Sequence, residues 1–107
     1  MSVVITATMV AKPGEEKALR DCCEAVLAET RKEPGCVLYE CGESLDSPGH
    51  FLLMEVWEDM DALKAHTTTP HMTVFGPLAD SLSESQVIDA HFSEKTRRLK
   101  PRPETAP

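Results

Sequence analysis

The chain has 107 residues, of which 41% are hydrophobic, 27% charged and 5% aromatic, and its net charge is −7. The length suits a single domain, and the composition is too apolar for a disordered chain. No run of about 18 apolar residues is present, which excludes a membrane-spanning helix.

Residues 3–10 (VVITATMV) are rich in β-branched side chains and read as a first strand, closed by Lys12-Pro13-Gly14. From there the apolar residues recur at helical spacing: Ala18/Leu19, Cys22/Cys23, Val26/Leu27 and Thr30 form one stripe between charged residues. An amphipathic helix over 14–33 is predicted, stopped by Pro34-Gly35. Cys36 to Glu43 and Phe51 to Trp57 read as two strands of an antiparallel hairpin turning at Asp46-Ser47-Pro48-Gly49. Asp59 is placed to cap a short helix running through His66, and Thr69-Pro70 to open another carrying His71, Phe75, Leu78 and Leu82 on one stripe. Gly76-Pro77 is expected to kink or split that helix, because proline has no N–H to donate. Gln86 to Phe92 reads as the last strand.

The order β-α-β-β-α-β with right-handed crossovers gives an α+β, ferredoxin-like antiparallel sheet with its helices on one face. Strand parity then carries a consequence. The third strand presents Phe51, Leu53, Glu55 and Trp57 on one face and Leu52, Met54 and Val56 on the other, and the first strand is similarly apolar on both sides. A two-layer monomer would leave one face in water, where alternation to polar residues is the rule. Both faces are therefore expected to be covered, the second by another copy of the chain packed sheet on sheet.

Charge divides the chain. Residues 1–92 hold 16 acids and 6 bases, while residues 93–107 hold 2 acids and 5 bases. The 1–92 segment reads as the domain and 93–107 as a polar, basic, Pro-containing C-terminal tail. An acidic body argues against a nucleic-acid partner. The cysteines, Cys22, Cys23, Cys36 and Cys41, form no CxxC and no zinc-ligand spacing, and the N-terminus has no basic stretch of a signal peptide. A cytoplasmic protein with reduced thiols is expected, and no metal. Cys36 and Cys41 differ in parity and are not expected to bond, and His50 and His91 are expected to be exposed near strand ends.

Few polar groups fall in apolar settings. A pocket between sheet and helices is expected to gather Trp57, Glu55, His66, His71, Tyr39 and Phe75, mostly apolar with a few polar groups, as small-molecule sites are. Each has a plainer role open to it: His66 as a helix-end cap, Trp57 as core, Glu55 as an exposed or hydrogen-bonded strand residue, Tyr39 as a plug at the core edge. No phosphate loop, GxSxG or HExxH is present.

The ordered set Lys12-Pro13-Gly14, Glu33-Pro34-Gly35-Cys36, Tyr39-Glu40, Glu55-Val56-Trp57-Glu58, Ala62-Leu63, His66, Thr69-Pro70-His71 and Phe75 resembles the antibiotic biosynthesis monooxygenase family over residues 3–92. The resemblance implies a dimeric α+β barrel and a cofactor-independent monooxygenase that oxidises a quinol or polycyclic phenol with dioxygen. It points to His66 as base or polar anchor and Trp57 as the stacking wall, with Tyr39, Glu55, His71 and Phe75 around the substrate. Its implied partners are a small aromatic substrate, dioxygen and a second copy of the chain. Haem-degrading relatives use an Asn on the first strand with a Trp and a His; Trp57 and His66 match the latter two, but the first strand has Thr6, Ala7 and Thr8 instead of the Asn. An isomerase relative and a non-catalytic ligand-binding or accessory dimer are the other readings of the same fold.

Overall fold

A computed structural model describes residues 2–99. Its sheet is built on β1 (Ser2–Ala11), which lies between β3 (His50–Trp57) and β4 (Ser83–Ser93), while β2 (Cys36–Glu43) flanks β3 at the other edge. All neighbours are antiparallel, in the order β2-β3-β1-β4. The three helices α1 (Glu16–Thr30), α2 (Met60–Thr67) and α3 (Pro70–Leu82) complete the order β-α-β-β-α-α-β, the ferredoxin-like layout that the strand and helix periodicities predict.

Side-chain alternation decides what each face of the sheet does. Val3, Ile5, Ala7, Met9 and Ala11 on β1 are buried, as are Phe51, Leu53, Glu55 and Trp57 on β3 and Tyr39 on β2. Against this face pack Leu19, Cys23 and Val26 of α1 and Ala79 of α3, so one core lies between sheet and helices. The opposite face carries the register pairs Val4↔Val56, Thr6↔Met54 and Thr8↔Leu52. Leu52 and Met54 are 51% and 43% exposed, and Val87 on the neighbouring β4 is also open to solvent. A hollow of about 660 Å³ opens on this face, with Thr8, Val10, Glu40, Leu45, Leu52 and Met54 in its wall. The apolar second face read from strand parity is thus present and uncovered in the single chain. All four cysteines are free thiols, Cys22 and Cys23 buried on α1, and His50 and His91 are exposed.

The second and third helices start where their caps dictate. Asp59 accepts from the Ala62 N–H (2.8 Å) at the head of α2, and Thr69 accepts from the Met72 N–H at the head of α3, with Pro70 in the first turn. Three expectations are corrected. The α3 helix runs unbroken through Pro77. Pro77 and Thr73, whose carbonyl loses its usual donor, are both exposed, so the missing bond lies on the solvent side, where water replaces it. The buried stripe of α3 is also rotated: Met72, Phe75, Ala79 and Leu82 pack on the core while Leu78 is 43% exposed. The α1 helix is shorter than its periodic stripe and ends at Thr30, which leaves residues 31–35 as a loop. The stretch 100–107 of the basic tail lies outside the described residues.

Gly35 ends that loop with φ +82°, and a Cβ there would stand 2.5 Å from the Ala62 Cβ of α2. Gly14 has a similar φ of +86° but open space around it. Gly14→Ala is therefore expected to cost only the left-handed backbone term, about 1–2 kcal/mol. Gly35→Ala should cost that plus about 1–3 kcal/mol of overpacking. Urea unfolding of the two variants checks this; equal losses would show that the α2 contact is not tight.

Candidate functional site

Four segments converge at one end of the core. Arg31, just past α1, donates from Nε to the Tyr39 carbonyl (3.0 Å) and from its guanidinium to Glu40 (3.0 Å), which fixes the loop after α1 against β2. Gly35 lets that loop press on α2. The loop thereby carries Glu33 inward between α2 and α3, with its side chain only 10% exposed. Glu33 Oε2 lies 2.8 Å from His66 Nδ1 and 2.8 Å from His71 Nε2. The Thr69 hydroxyl donates to the His66 carbonyl and lies 3.2 Å from His71 Nε2, so the start of α3 is tied to the end of α2.

Behind His66 stands the aromatic and acidic part of the sheet. The His66 ring, 3% exposed, packs on the fully buried Trp57 at a centroid distance of 4.5 Å and lies 5.9 Å from Tyr39. The Trp57 Nε1–H donates to Glu55 Oε1 (2.9 Å), and His66 Nε2 lies 4.0 Å from the same oxygen. A carboxylate oxygen only accepts, so the geometry makes His66 Nδ1 and His71 Nε2 the N–H donors to Glu33 and leaves His66 Nε2 facing Glu55. Burial pushes the Glu55 carboxyl above the ordinary carboxylate range; the Glu33 charge adds to the rise, while the Trp57 N–H and His66 oppose it. Burial, and then the Glu55 charge, push the Tyr39 hydroxyl far above its usual value, so Tyr39 is a proton donor here and not a base.

The cavity beside this cluster measures about 240 Å³ and lies between the sheet and α3. Tyr39, Glu55 and Phe75 line it, with Met9, Met72, Ala79, Asp80, Gln86 and Ile88. Of the six residues expected in one pocket, the cavity therefore gathers three. Trp57 and His66 stand one layer behind Glu55, and His71 faces an apolar groove between α1 and α3 with Val26, Val74 and Leu78. The physical reason is parity and reach: Glu55 and Trp57 share a strand face, but the indole folds back on Glu55 beneath α2, which places His66 over the indole and away from the cavity.

Glu33 is the site residue that periodicity misses. The extended apolar stripe carries α1 to residue 33, where a glutamate reads as part of the solvated helix face. The signal available was its place immediately before Pro34-Gly35, where the helix must already have ended.

Among the described residues, Glu33, His66 and His71 are the cluster whose donor atoms, all within 4.8 Å of one another, bear on metal binding. Both ring nitrogens are directed at one carboxylate oxygen at hydrogen-bond distance, the arrangement of two N–H donors sharing an acceptor. Haem does not fit: the His66 Nε2 that would ligate it faces Glu55 Oε1 at 4.0 Å, and Glu55, not His66, lines the cavity.

The raised Glu55 carboxyl sets a pH dependence of stability. The native state holds this proton to a higher pH than the unfolded chain, so the contribution is fully present below the unfolded value of 4.5 and is lost as pH rises through the native value. Glu55→Gln keeps an acceptor for the Trp57 N–H without the charge. Its stability relative to the wild type is expected to rise as pH climbs above about 4.5 and to level off once pH passes the native carboxyl's value, measured by urea unfolding across pH. A difference that stays constant with pH would count against the burial of this charge.

The antibiotic biosynthesis monooxygenase family model matches residues 2–77. The chain is 35% identical over 69 residues to a Mycobacterium tuberculosis protein named "Putative monooxygenase Rv0793", covering 64% of this chain and 67% of that one. It is 29% identical over 73 residues to the uncharacterized protein sll1783 of Synechocystis, covering 68% of this chain but only half of that longer protein. In three dimensions it superposes on the crystal structure of PA3566 from Pseudomonas aeruginosa with a TM-score of 0.81 at 29% identity, covering 88% of this chain and 95% of that one. With the family model spanning most of the domain and the fold shared at that level, the chain belongs to the antibiotic biosynthesis monooxygenase family.

Proposed function

We propose that the chain is a monooxygenase that uses dioxygen to oxidise a small quinol or phenol, with the substrate itself as the source of electrons, and that it works as a homodimer. The observation that carries this reading is a carboxylate, Glu55, buried in the wall of a mostly apolar cavity and backed by a histidine. A phenol entering the cavity meets the buried Glu55 and the neutral Tyr39 hydroxyl, with Asp80 and Gln86 also in the lining and aliphatic or aromatic walls elsewhere. Glu55, more basic than an ordinary carboxylate, takes the phenolic proton. His66 Nε2 receives or balances that proton, Trp57 holds Glu55 in place, and the Tyr39 O–H donates to the oxyanion that forms.

Dioxygen has a triplet ground state and reacts slowly with closed-shell molecules. A phenolate is electron-rich enough to transfer one electron to it, and the radical pair then joins to form a carbon–oxygen bond. Loss of water from the resulting hydroperoxide gives a quinone, so one oxygen atom enters the product and the other leaves as water. An apolar cavity favours this sequence by admitting dioxygen and keeping bulk water from the radical pair.

Cavity size bears on the substrate. An engineered apolar cavity of about 150 Å³ admits benzene. By that scale the 240 Å³ between the sheet and α3 accommodates a one- or two-ring aromatic. Oxygen uptake by the purified protein with a panel of naphthols and naphthohydroquinones is expected to exceed the buffer rate, and Glu55→Gln should lower kcat by about 100-fold. Uptake equal to buffer, or a Glu55→Gln variant as active as the wild type, would overturn the assignment.

The dimer rests on the uncovered apolar sheet face around Leu52, Met54 and Val87. A face of that character in a small domain is stabilised by covering it, and a twofold copy supplies a matching surface. Sedimentation is expected to show twice the 11.8 kDa chain mass at micromolar concentration, and Leu52→Lys with Met54→Lys should return it to the chain mass. A wild-type species of 11.8 kDa would remove the dimer.

A further inference from the structure

We propose that Glu33, His66 and His71 form a single charge-exchanging unit that takes up the substrate proton on the cavity side and releases a proton on the opposite, groove side. The proposal rests on Glu55 acting as base in the cavity, and it assigns Glu33 and His71 a part in that chemistry although neither lines the cavity.

The placement of the four groups carries it. Glu55 is the carboxylate in the cavity wall. His66 Nε2 is 4.0 Å behind its Oε1. His66 Nδ1 and His71 Nε2 then meet on one oxygen of Glu33, each at 2.8 Å. His71 is the outer end: it is 19% exposed and lines the groove between α1 and α3. The chain of groups thus crosses the core from cavity to groove through β3, α2, the loop after α1 and the head of α3. Cys36, which feels the Glu33 and Glu55 charges, lies beside this cluster, Tyr39 is on its cavity side, and Cys22 and Glu29 of α1 line the groove with His71.

Sharing one oxygen limits what the two rings can do. Each uses one nitrogen on Glu33, which leaves His66 Nε2, facing Glu55, and His71 Nδ1 for exchange. One carboxylate balances one imidazolium, and two like charges on one oxygen repel in a site this buried. A proton passed from Glu55 to His66 Nε2 makes His66 the imidazolium. In the proposed cycle His71 starts as the imidazolium, protonated on both nitrogens, and it now gives up its Nδ1 proton to the groove. The unit's net charge is unchanged, and no proton has to cross Glu33. When His66 returns its Nε2 proton to the product side, His71 takes one back from solvent.

The experiment uses 4-nitrophenol, whose phenolate absorbs in the visible, mixed with the full chain in stopped flow below the probe's own pKa, with a pH dye reporting protons in solvent. The readout is protons released per phenolate formed, whatever the amount of phenolate. About one is expected for the wild type. His71→Phe is expected to lower the ratio at least about fivefold, because the proton stays on His66. His71→Gln, which retains a donor to Glu33, should do the same, so that a misfolded phenylalanine variant does not decide the matter. An unchanged ratio in both variants overturns the unit. Failure of the wild type to ionise the probe would instead overturn Glu55 as base. The unit is then judged without ligand, from imidazole nitrogen-15 shifts against pH. His66 and His71 titrating in linked steps that separate in Glu33→Gln would sustain it, and independent titration in the wild type would overturn it.

Discussion

The oxygen atom of Glu33 that accepts from two histidines is the contact on which the rest of the site depends. The Glu33 side chain is almost fully buried, and it joins the loop after α1, the end of α2 and the start of α3. Placing a carboxylate there has a desolvation cost, and two charge-assisted or strongly polar N–H donors offset it. The shared oxygen also orients the rings. With Nδ1 committed to Glu33, the His66 ring has one position over Trp57, and its free nitrogen faces Glu55. The acid on the cavity wall and the acid in the loop communicate through that ring.

The two layers of the domain contribute differently. The sheet sets distances: Glu55 and Trp57 are two residues apart on one face of a central strand, and the indole N–H reaches the carboxylate. The helices set chemistry, because α2 and α3 bring the imidazoles and α3 closes the cavity with Met72, Phe75 and Ala79. The Asp59 and Thr69 caps matter for the same reason. Each fixes where a short helix begins, and so the turn on which its histidine falls.

Much of this was legible from residues alone. Strand parity located the core face and the apolar outer face, and the caps of α2 and α3 followed from Asp59 and Thr69-Pro70. The cluster of His66, Trp57, Glu55 and Tyr39 followed from spacing on β2, β3 and α2 together with the family resemblance. The illegible part depended on where side chains turn. Periodicity cannot say that α1 stops at Thr30 although its stripe invites continuation, so Glu33 was lost in a helix face. It allows a split at Pro77 that α3 does not show, because whether a missing hydrogen bond breaks a helix depends on which side faces water. Nor could it divide the six candidate residues between a cavity and the layer behind it, because that division depends on the Trp57 rotamer.

The approach of Gly35 to Ala62 has a mechanical meaning beyond the turn that it permits. Ala62 sits one turn before His66 on α2, so the depth to which α2 settles is set by two small residues touching. Position 62 is therefore under a size limit that nothing in its own character announces: a bulkier side chain there would act as a wedge, lifting the helix and drawing His66 off the loop carboxylate. The spacing of the histidine layer is gauged by the absence of side-chain volume at a point that touches neither cavity nor histidine.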